Sequence, residues 1–239
     1  MNTLLISDLG LIGYADAYAL QKRIVAARKA GLIDDVLLLS EHTHVITQGR
    51  NGKREHLLAS EHVLRQKAVE FFETSRGGDV TYHGPGQVVG YPILNLGAIR
   101  RDVVWYVRML EEAMIRATRE FGIEAVRVPG KTGIWVGAGS REEKLGAIGV
   151  HISRWVTSHG FAYNVSTDLR YFDLIVPCGI ADRKATSLEK LLGGSVSVSE
   201  VGPLLARHVS EIFGMAACEI EPPRLLERLE TAEAMPVSA

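Results

Sequence analysis

Apolar residues recur at helical and strand periods along most of the chain. Over residues 14–29 and 102–121 they fall at steps of three and four, which predicts two amphipathic helices. A third helix is predicted to begin at Ser197, because Ser197 and Glu200 have the spacing of a capping box. Strands are predicted where apolar residues cluster or alternate, at 36–39, 69–71, 88–96, 134–136, 148–152 and 161–165.

Strands outnumber helices through the middle of the chain, and short turns join many of them. This order predicts an α/β (α+β) domain in which helices pack on a mixed β-sheet. The length of 239 residues favours a single domain, residues 1–239, with its core at about 14–213 and a frayed tail at about 232–239. Pro92 predicts that its strand lies at a sheet edge or contains a bulge.

The charge balance excludes several classes of partner. The chain has 27 Lys+Arg and 28 Asp+Glu, a net charge of -1, which gives no electrostatic basis for non-specific binding to nucleic acid or an anionic membrane. It contains no run of 18 apolar residues and no signal-peptide pattern at its start, and it has only two cysteines. We therefore expect a cytoplasmic protein with reduced thiols.

Many of the 24 glycines are clustered, at 77–90 and 130–149. Such clusters indicate positive φ angles or backbone that approaches a ligand closely, although tight hairpin turns explain the second cluster equally well. The first cluster does not fit a dinucleotide fingerprint, because its third glycine comes one residue late and a strand-like run follows. Residues 130–132 lack the first glycine of a phosphate loop, and no G-x-S-x-G motif is present.

Cysteine chemistry fits one of the two thiols better than the other. Cys178 lies between Pro177 and Gly179, whose turn-forming character and small size leave the thiol approachable. Cys218 lies among small and apolar residues, which is typical of packing. A lone cysteine in a turn is more often structural than catalytic, and the two histidines His42 and His44 favour structural roles over metal binding.

Four segments together resemble one known family. They are Arg76-Gly-Gly-Asp-Val-Thr-Tyr-His83-Gly-Pro-Gly-Gln87, Lys144-Leu-Gly-Ala-Ile-Gly149, Ser158-His159-Gly-Phe-Ala-Tyr-Asn164 and Ile175-Val-Pro-Cys178-Gly-Ile180. This signature resembles that of the lipoyl(octanoyl) transferase family, the protein N-octanoyltransferases that use octanoyl-acyl carrier protein. The likeness extends from about residue 14 to about 213. The chain departs from the usual pattern at His151, where family members often carry arginine.

The resemblance implies a fold and a reaction. The fold would be that of the biotin/lipoate ligase catalytic domain. The reaction, part of lipoate biosynthesis, would move an octanoyl group from an acyl carrier protein thioester to a lysine of a lipoyl domain. Acceptors would be the lipoyl domains of 2-oxoacid dehydrogenase complexes and the glycine cleavage H protein. No cofactor, metal, nucleic acid or membrane is expected, and the protein is expected to be a monomer.

The resemblance also implies roles for individual residues. Cys178 would carry the acyl-thioester, and Lys144 would lie beside it and lower the pKa of the thiol. The two residues are 34 positions apart, so only the fold can bring them together. The acyl site would be formed by Arg76, Gly77, Gly78, Asp79, Val80, Thr81, Tyr82, His83, Ala147, Ile148, Gly149, Gly160, Phe161 and Ala162.

Several roles and alternatives remain open at this stage. His83 favours shaping the loop or lining the substrate, His159 favours a core role, and Lys131 is expected to be a solvated turn residue. Arg76 is predicted to hold a phosphopantetheine or backbone group, or a structural carboxylate such as Asp79. The competing functions are an ATP-dependent lipoate/biotin protein ligase, a cysteine thioester hydrolase and a non-catalytic acyl-carrier-binding module.

Overall fold

A computed structural model describes residues 2–176 and 184–234 of the protein. Its strands are β1 (Thr3–Ile12), β2 (Asp35–His42), β3 (Val45–Gln48), β4 (Glu70–Glu73), β5 (Val80–His83), β6 (Gln87–Ile93), β7 (Val126–Val128), β8 (Lys131–Val136), β9 (Glu143–Ser153), β10 (Val156–Asn164) and β11 (Ala216–Glu219). Its helices are α1 (Tyr14–Lys29), α2 (Glu61–Gln66), α3 (Leu96–Ile99), α4 (Val103–Arg119), α5 (Leu188–Leu192), α6 (Val198–Phe213) and α7 (Pro222–Ala234).

Within these ranges, most strands form one mixed sheet of eight, in the order β11-β1-β2-β6-β10-β9-β8-β7. β1 runs parallel to both of its neighbours, and the remaining pairs are antiparallel. The central strand β6 is buried along its whole length, which explains its nearly unbroken apolar sequence. The predicted α+β class with a mixed sheet is confirmed.

Helices cover both faces of the large sheet. On one face, α4 and α6 bury Tyr106, Leu110, Met114, Leu205 and Val209 against the strands. On the other face, α1 packs against the sheet together with α7, whose Leu225 and Leu229 are fully buried. The predicted capping box of α6 is present: the Ser197 side chain accepts from the Glu200 backbone N–H, and the Glu200 carboxylate accepts from the Ser197 N–H.

A smaller sheet, β4-β3-β5, covers part of the α1 face and has its own apolar cluster. In that cluster Ile46 and Tyr82 pack against Leu174 and Ile175, which lie in and just after a 3₁₀ turn at Leu169–Leu174. The turn leads directly to Val176, the last residue described before the gap at 177–183. The small sheet therefore holds the residues that lead up to Val176.

Three details differ from the sequence predictions. Pro92 lies in a central strand. Its carbonyl accepts from Thr157 of β10, and the N–H that proline lacks would point to the same side. No ladder bond is lost there, because the pairing of β6 with β10 has already ended at Gly90. The strand predicted at 69–71 is β4, which begins one residue later. Residues 232–234 belong to α7 because Ala232 is buried against its neighbours; residues 235–239 lie outside the described chain.

None of the helices in the described part of the chain is both long enough and apolar enough to span a membrane.

Candidate active site

A cavity of about 480 Å³ lies between the small sheet and the large sheet. It is lined by most of the predicted acyl-site residues: Arg76, Gly77, Gly78, Asp79, Val80, Thr81, His83, Ala147, Ile148, Gly149, Gly160, Phe161 and Ala162. Lys144 borders it as well. Of the residues predicted to bind substrate, Tyr82 is the exception. It is buried in the small-sheet cluster, where its hydroxyl lies 2.7 Å from Nδ1 of His44.

The cavity floor is made by small residues on two neighbouring strands. Gly149 of β9 pairs with Gly160 of β10, and Ala147 pairs with Ala162. A Cβ on Gly160 would collide with the carbonyl oxygen of Gly90, so glycine is required there to let β6 and β10 pack closely. Together with Val89 and Phe161, these residues give the cavity a largely apolar surface that suits an alkyl chain.

Arg76 holds the glycine loop in place from within. Its guanidinium donates to the Thr47 carbonyl and hydroxyl and to the Gly77 carbonyl, and the residue is only 7% exposed. Of the predicted alternatives, the backbone group fits these bonds, because Asp79 accepts from His56 instead, with 2.5 Å between Oδ2 and Nδ1. These bonds make Arg76 a positioning residue for the loop that borders the cavity.

The backbone of the same loop is joined to the sheet. The Gly77 N–H donates to the Val150 carbonyl at 2.8 Å, which removes Gly77 from the set of donors available to a substrate oxyanion. Gly78 has φ +85, a left-handed conformation that favours glycine. The sequence motif thus encodes a turn that stays close to β9.

Buried neutral histidines line the inner part of the cavity. Burial, reinforced by His42 and Arg76, lowers the pKa of His83 to about 3, so its ring is uncharged at neutral pH. Its Nδ1 lies 2.7 Å from the Gln87 side-chain oxygen, and the Gln87 amide donates to Asn164. This chain of hydrogen bonds fixes the ring, which agrees with the predicted loop-shaping role of His83.

His159 forms the end wall of the cavity. Its φ of +55 is strained for a residue with a side chain, and its ring stacks on Tyr18 while Nε2 lies 3.0 Å from the Ser75 hydroxyl. Burial first, and then Arg76, lowers the pKa of His159 to about 3. The predicted core role is therefore correct, and in addition the ring faces the cavity.

The opposite end of the cavity carries the ammonium groups. Lys144 Nζ lies 4.7 Å from the centroid of the Trp135 ring, and Lys131 Nζ lies 5.2 Å from the same centroid. Lys131 is not the solvated turn residue that the sequence predicts. It begins β8, borders the cavity and forms an ion pair with Glu142 at 2.6 Å.

Cys178 lies outside the described residues, but both flanks of its segment are fixed at the cavity. On one side, the Val176 N–H donates to the carbonyl of His56, whose ring holds Asp79 of the cavity wall. On the other side, the Lys144 N–H donates to the Lys184 carbonyl at 3.0 Å, and Thr186 donates back to the Lys144 carbonyl. Cys218 is exposed on β11 at one edge of the large sheet, so the packing role expected for it is wrong.

Some cavity residues were missed by the sequence reasoning. They include Tyr14, Tyr91, Val107, Trp135 and Phe172. Tyr14 and Val107 were read only as the apolar faces of helices, and nothing in the sequence indicates which helical residues reach a cavity. Gln87 and Asn164 lie within the quoted segments, and their amide side chains in otherwise apolar strands were a usable signal.

The chain belongs to the lipoyl protein ligase A/B catalytic domain family, whose profile matches residues 13–210. Several curated relatives, at 43–54% identity, are octanoyltransferases. The octanoyltransferase of Solibacter usitatus (strain Ellin6076) is 54% identical over 213 residues, covering 89% of this chain and 94% of the relative. That of Koribacter versatilis (strain Ellin345) is 48% identical over 236 residues, covering 98% and 93%. The predicted resemblance to this family is confirmed.

Solved structures agree on the fold. The bipartite lipoate protein ligase of Thermoplasma acidophilum superimposes with a TM-score of 0.70 at 18% identity, covering 98% of this chain and 93% of that chain. The biotin protein ligase of Aquifex aeolicus in complex with biotin and ATP gives a TM-score of 0.51 at 14% identity, covering 90% and 71%. At these identities the likeness establishes the fold alone, which is the predicted biotin/lipoate ligase type.

Proposed function

We propose that this protein is an octanoyltransferase of lipoate biosynthesis that works through an acyl-thioester on Cys178. The donor is an octanoyl-acyl carrier protein. The acceptor is a lysine of a lipoyl domain, in a 2-oxoacid dehydrogenase complex or the glycine cleavage H protein. The observation that carries the proposal is the cavity, which combines a floor of small and apolar residues with Lys144 at one end. The names of the relatives support the same reaction.

The fixed flanks support a location for Cys178 near Lys144. One flank, Val176, stands two residues before Cys178 in the sequence and is hydrogen-bonded to the His56 carbonyl. The other flank, Lys184, is hydrogen-bonded to Lys144 itself. Because Val176 is bonded to His56 and Lys184 to Lys144, the two described flanks support a place for Cys178 at the end of the cavity where Lys144 lies.

An ammonium beside the thiol supplies the activation that the reaction needs. A free cysteine titrates near 8.5, so only a few per cent is thiolate at pH 7. A lysine ammonium within hydrogen-bonding distance stabilises the thiolate by on the order of a few kcal/mol at an effective dielectric near 20. Since about 1.4 kcal/mol corresponds to one pKa unit, a shift of two units makes most of Cys178 nucleophilic at neutral pH.

The transfer takes place in two balanced steps. First, the Cys178 thiolate attacks the thioester carbonyl; a new C–S bond forms, the old one breaks, and the carrier sulfur leaves with the proton of the Lys144 ammonium, which leaves Lys144 neutral. Second, the acceptor amine attacks the acyl-enzyme; a C–N bond forms, Cys178 leaves as a thiolate, and neutral Lys144 takes the amine proton. Gly78 and Gly179 remain the candidate oxyanion donors, because the Gly77 N–H is already bonded to Val150.

Intact-mass spectrometry after mixing the protein with octanoyl carrier tests this function. We expect a mass gain of one octanoyl group that hydroxylamine removes. It should vanish in Cys178→Ala and persist in the matched control Cys218→Ala, whose thiol lies at the edge of the sheet. Lys144→Ala should slow acyl-enzyme formation, and less so at high pH, where the thiol ionises unaided.

Three outcomes would contradict the proposal. Octanoyl transfer by Cys178→Ala at the unaltered rate would remove the acyl-thioester. Ligation that requires ATP and free octanoate would indicate a ligase. Release of free octanoate as the main product would indicate a hydrolase.

A further inference from the structure

A second cavity, of about 310 Å³, lies beside the end wall of the acyl cavity. β9 carries Ala147 and Gly149 in the acyl cavity and then His151 and Ser153 in the second one, at alternate positions on the same face. The Ser75–His159 hydrogen bond stands between the two cavities. We call the second cavity the basic groove; it is lined by Tyr18, Gln21, Lys22, Val25, Ala26, Lys29, Ser75, His151, Ser153, Arg154, Val156 and Ser158.

Positive charge is concentrated in the basic groove without a compensating carboxylate. Lys22 and Lys29 lie seven residues apart on α1, which places them about 10 Å apart along one helix face. Arg154 faces them from the turn between β9 and β10. None of these three cations forms an ion pair within the described ranges, and no Asp or Glu lines the groove.

The pKa shifts of two groove residues agree with an excess of positive charge. Burial and then Arg154 lower the pKa of Lys29, and burial, Arg50 and Lys29 lower the pKa of His151. In both cases the neighbouring charged groups that lower the pKa are cations. Arg50 also hydrogen-bonds to His151 from the loop after β3, with 2.7 Å between its Nη2 and the ring Nδ1. An anion in the groove would relieve this repulsion.

A buried, unpartnered donor lines the same groove. The Gln21 side-chain oxygen accepts from the His159 backbone N–H at 3.0 Å, which fixes the orientation of the amide. Its Nε2 has no hydrogen-bond partner, although Gln21 is only 1% exposed. Leaving a buried donor unsatisfied costs about 1–3 kcal/mol, so this atom calls for an acceptor that a bound group can provide.

We infer that the basic groove binds a small phosphate-bearing anion. The donors are two ammonium groups, one guanidinium, one amide and the Ser153 hydroxyl, and they come from α1, from β9 and from the turn that follows β9. A tetrahedral phosphate has oxygens pointing in all of these directions, whereas a carboxylate offers only two oxygens in one plane. Lys144 stands seven positions before His151 of the groove on β9, which is roughly 23 Å along the strand, so the groove is separate from the acyl-transfer centre.

Calorimetric titration of the full chain with inorganic phosphate at fixed ionic strength tests the site. We expect saturable binding to one site, weakened at least tenfold by Lys29→Gln and by Arg154→Asn. Asparagine is chosen because it tolerates the φ of +51 at that position. Lys67→Gln is the control: it removes the same charge from a lysine that lies outside the groove.

Binding that is absent, unsaturable or equally strong in Lys29→Gln and Arg154→Asn would overturn the inference. Repeating the titration with the octanoyl carrier present identifies the source of the phosphate. If the carrier competes with inorganic phosphate, the natural ligand is the phosphodiester of the carrier's prosthetic arm. If the carrier does not compete, the natural ligand is a free phosphate compound. The acyl-enzyme measurement on Lys29→Gln is read separately, so failure of the phosphate site and failure of the proposed transfer are distinguishable.

Discussion

Substitution of Ala147 tests how the cavity limits the length of the acyl chain that it accepts. The Ala147–Ala162 pair lies on the cavity floor, three positions along β9 from Lys144, or roughly 10 Å. With bonds of about 1.5 Å and angles near 111°, an extended octanoyl chain spans about 9 Å from its carbonyl carbon to its methyl group. A chain whose carbonyl lies beside Lys144 therefore ends close to this pair.

Ala147→Leu should fill the space that the last carbons of the chain occupy. If two or three methylenes lose their burial at about 0.8 kcal/mol each, octanoyl transfer loses about 2 kcal/mol of transition-state stabilisation. That corresponds to a decrease of roughly thirtyfold in kcat/KM. A butanoyl or hexanoyl donor, which ends before the added side chain, should be used nearly as well as by the unaltered protein.

The measurement compares kcat/KM for butanoyl, hexanoyl and octanoyl carrier donors. Ala98→Leu, on the exposed surface of α3, adds the same side chain away from the cavity and controls for general effects. An unchanged preference among the three donors, or an equal loss with all of them, would refute the placement of the chain along β9.

Two further predictions concern stability. Burial lowers the pKa values of His42, His83 and His159 to about 4, 3 and 3, whereas they titrate near 6.5 when unfolded. Below pH 6.5 the unfolded chain binds more protons, so stability is greatest above that pH and falls as the pH is lowered towards 4. Urea unfolding should show a loss on the order of 4 kcal/mol between pH 7.5 and 5.5; a flat or rising stability would contradict the burial argument. Gly160→Ala should destabilise the fold by more than about 4 kcal/mol, because the added Cβ collides with the Gly90 backbone; a thermal melt should show this loss but little change for Gly194→Ala, where no atom lies within 4 Å of an added Cβ.

Local patterns were sufficient for the regular elements. The helix predicted at 14–29 has those bounds in the structure, and that at 102–121 is α4, capped by the Asp102 side chain. These predictions succeed because periodicity and capping depend on residues within a few positions of each other. The prediction for Pro92 failed because the neighbours of a strand are set by distant segments, here the early end of the β6–β10 pairing.

The candidate site shows the same distinction between what the sequence pattern indicates and what the tertiary structure sets. The sequence motifs identified residues that the fold brings together: the glycines of the loop, the small floor residues and Lys144 all border one cavity. Tertiary structure alone decided their partners. Arg76 binds Thr47 instead of Asp79, Tyr82 turns to His44, and Lys131 pairs with Glu142. Such contacts join strands far apart in the chain, and side-chain direction across a sheet follows from register, which no local pattern specifies.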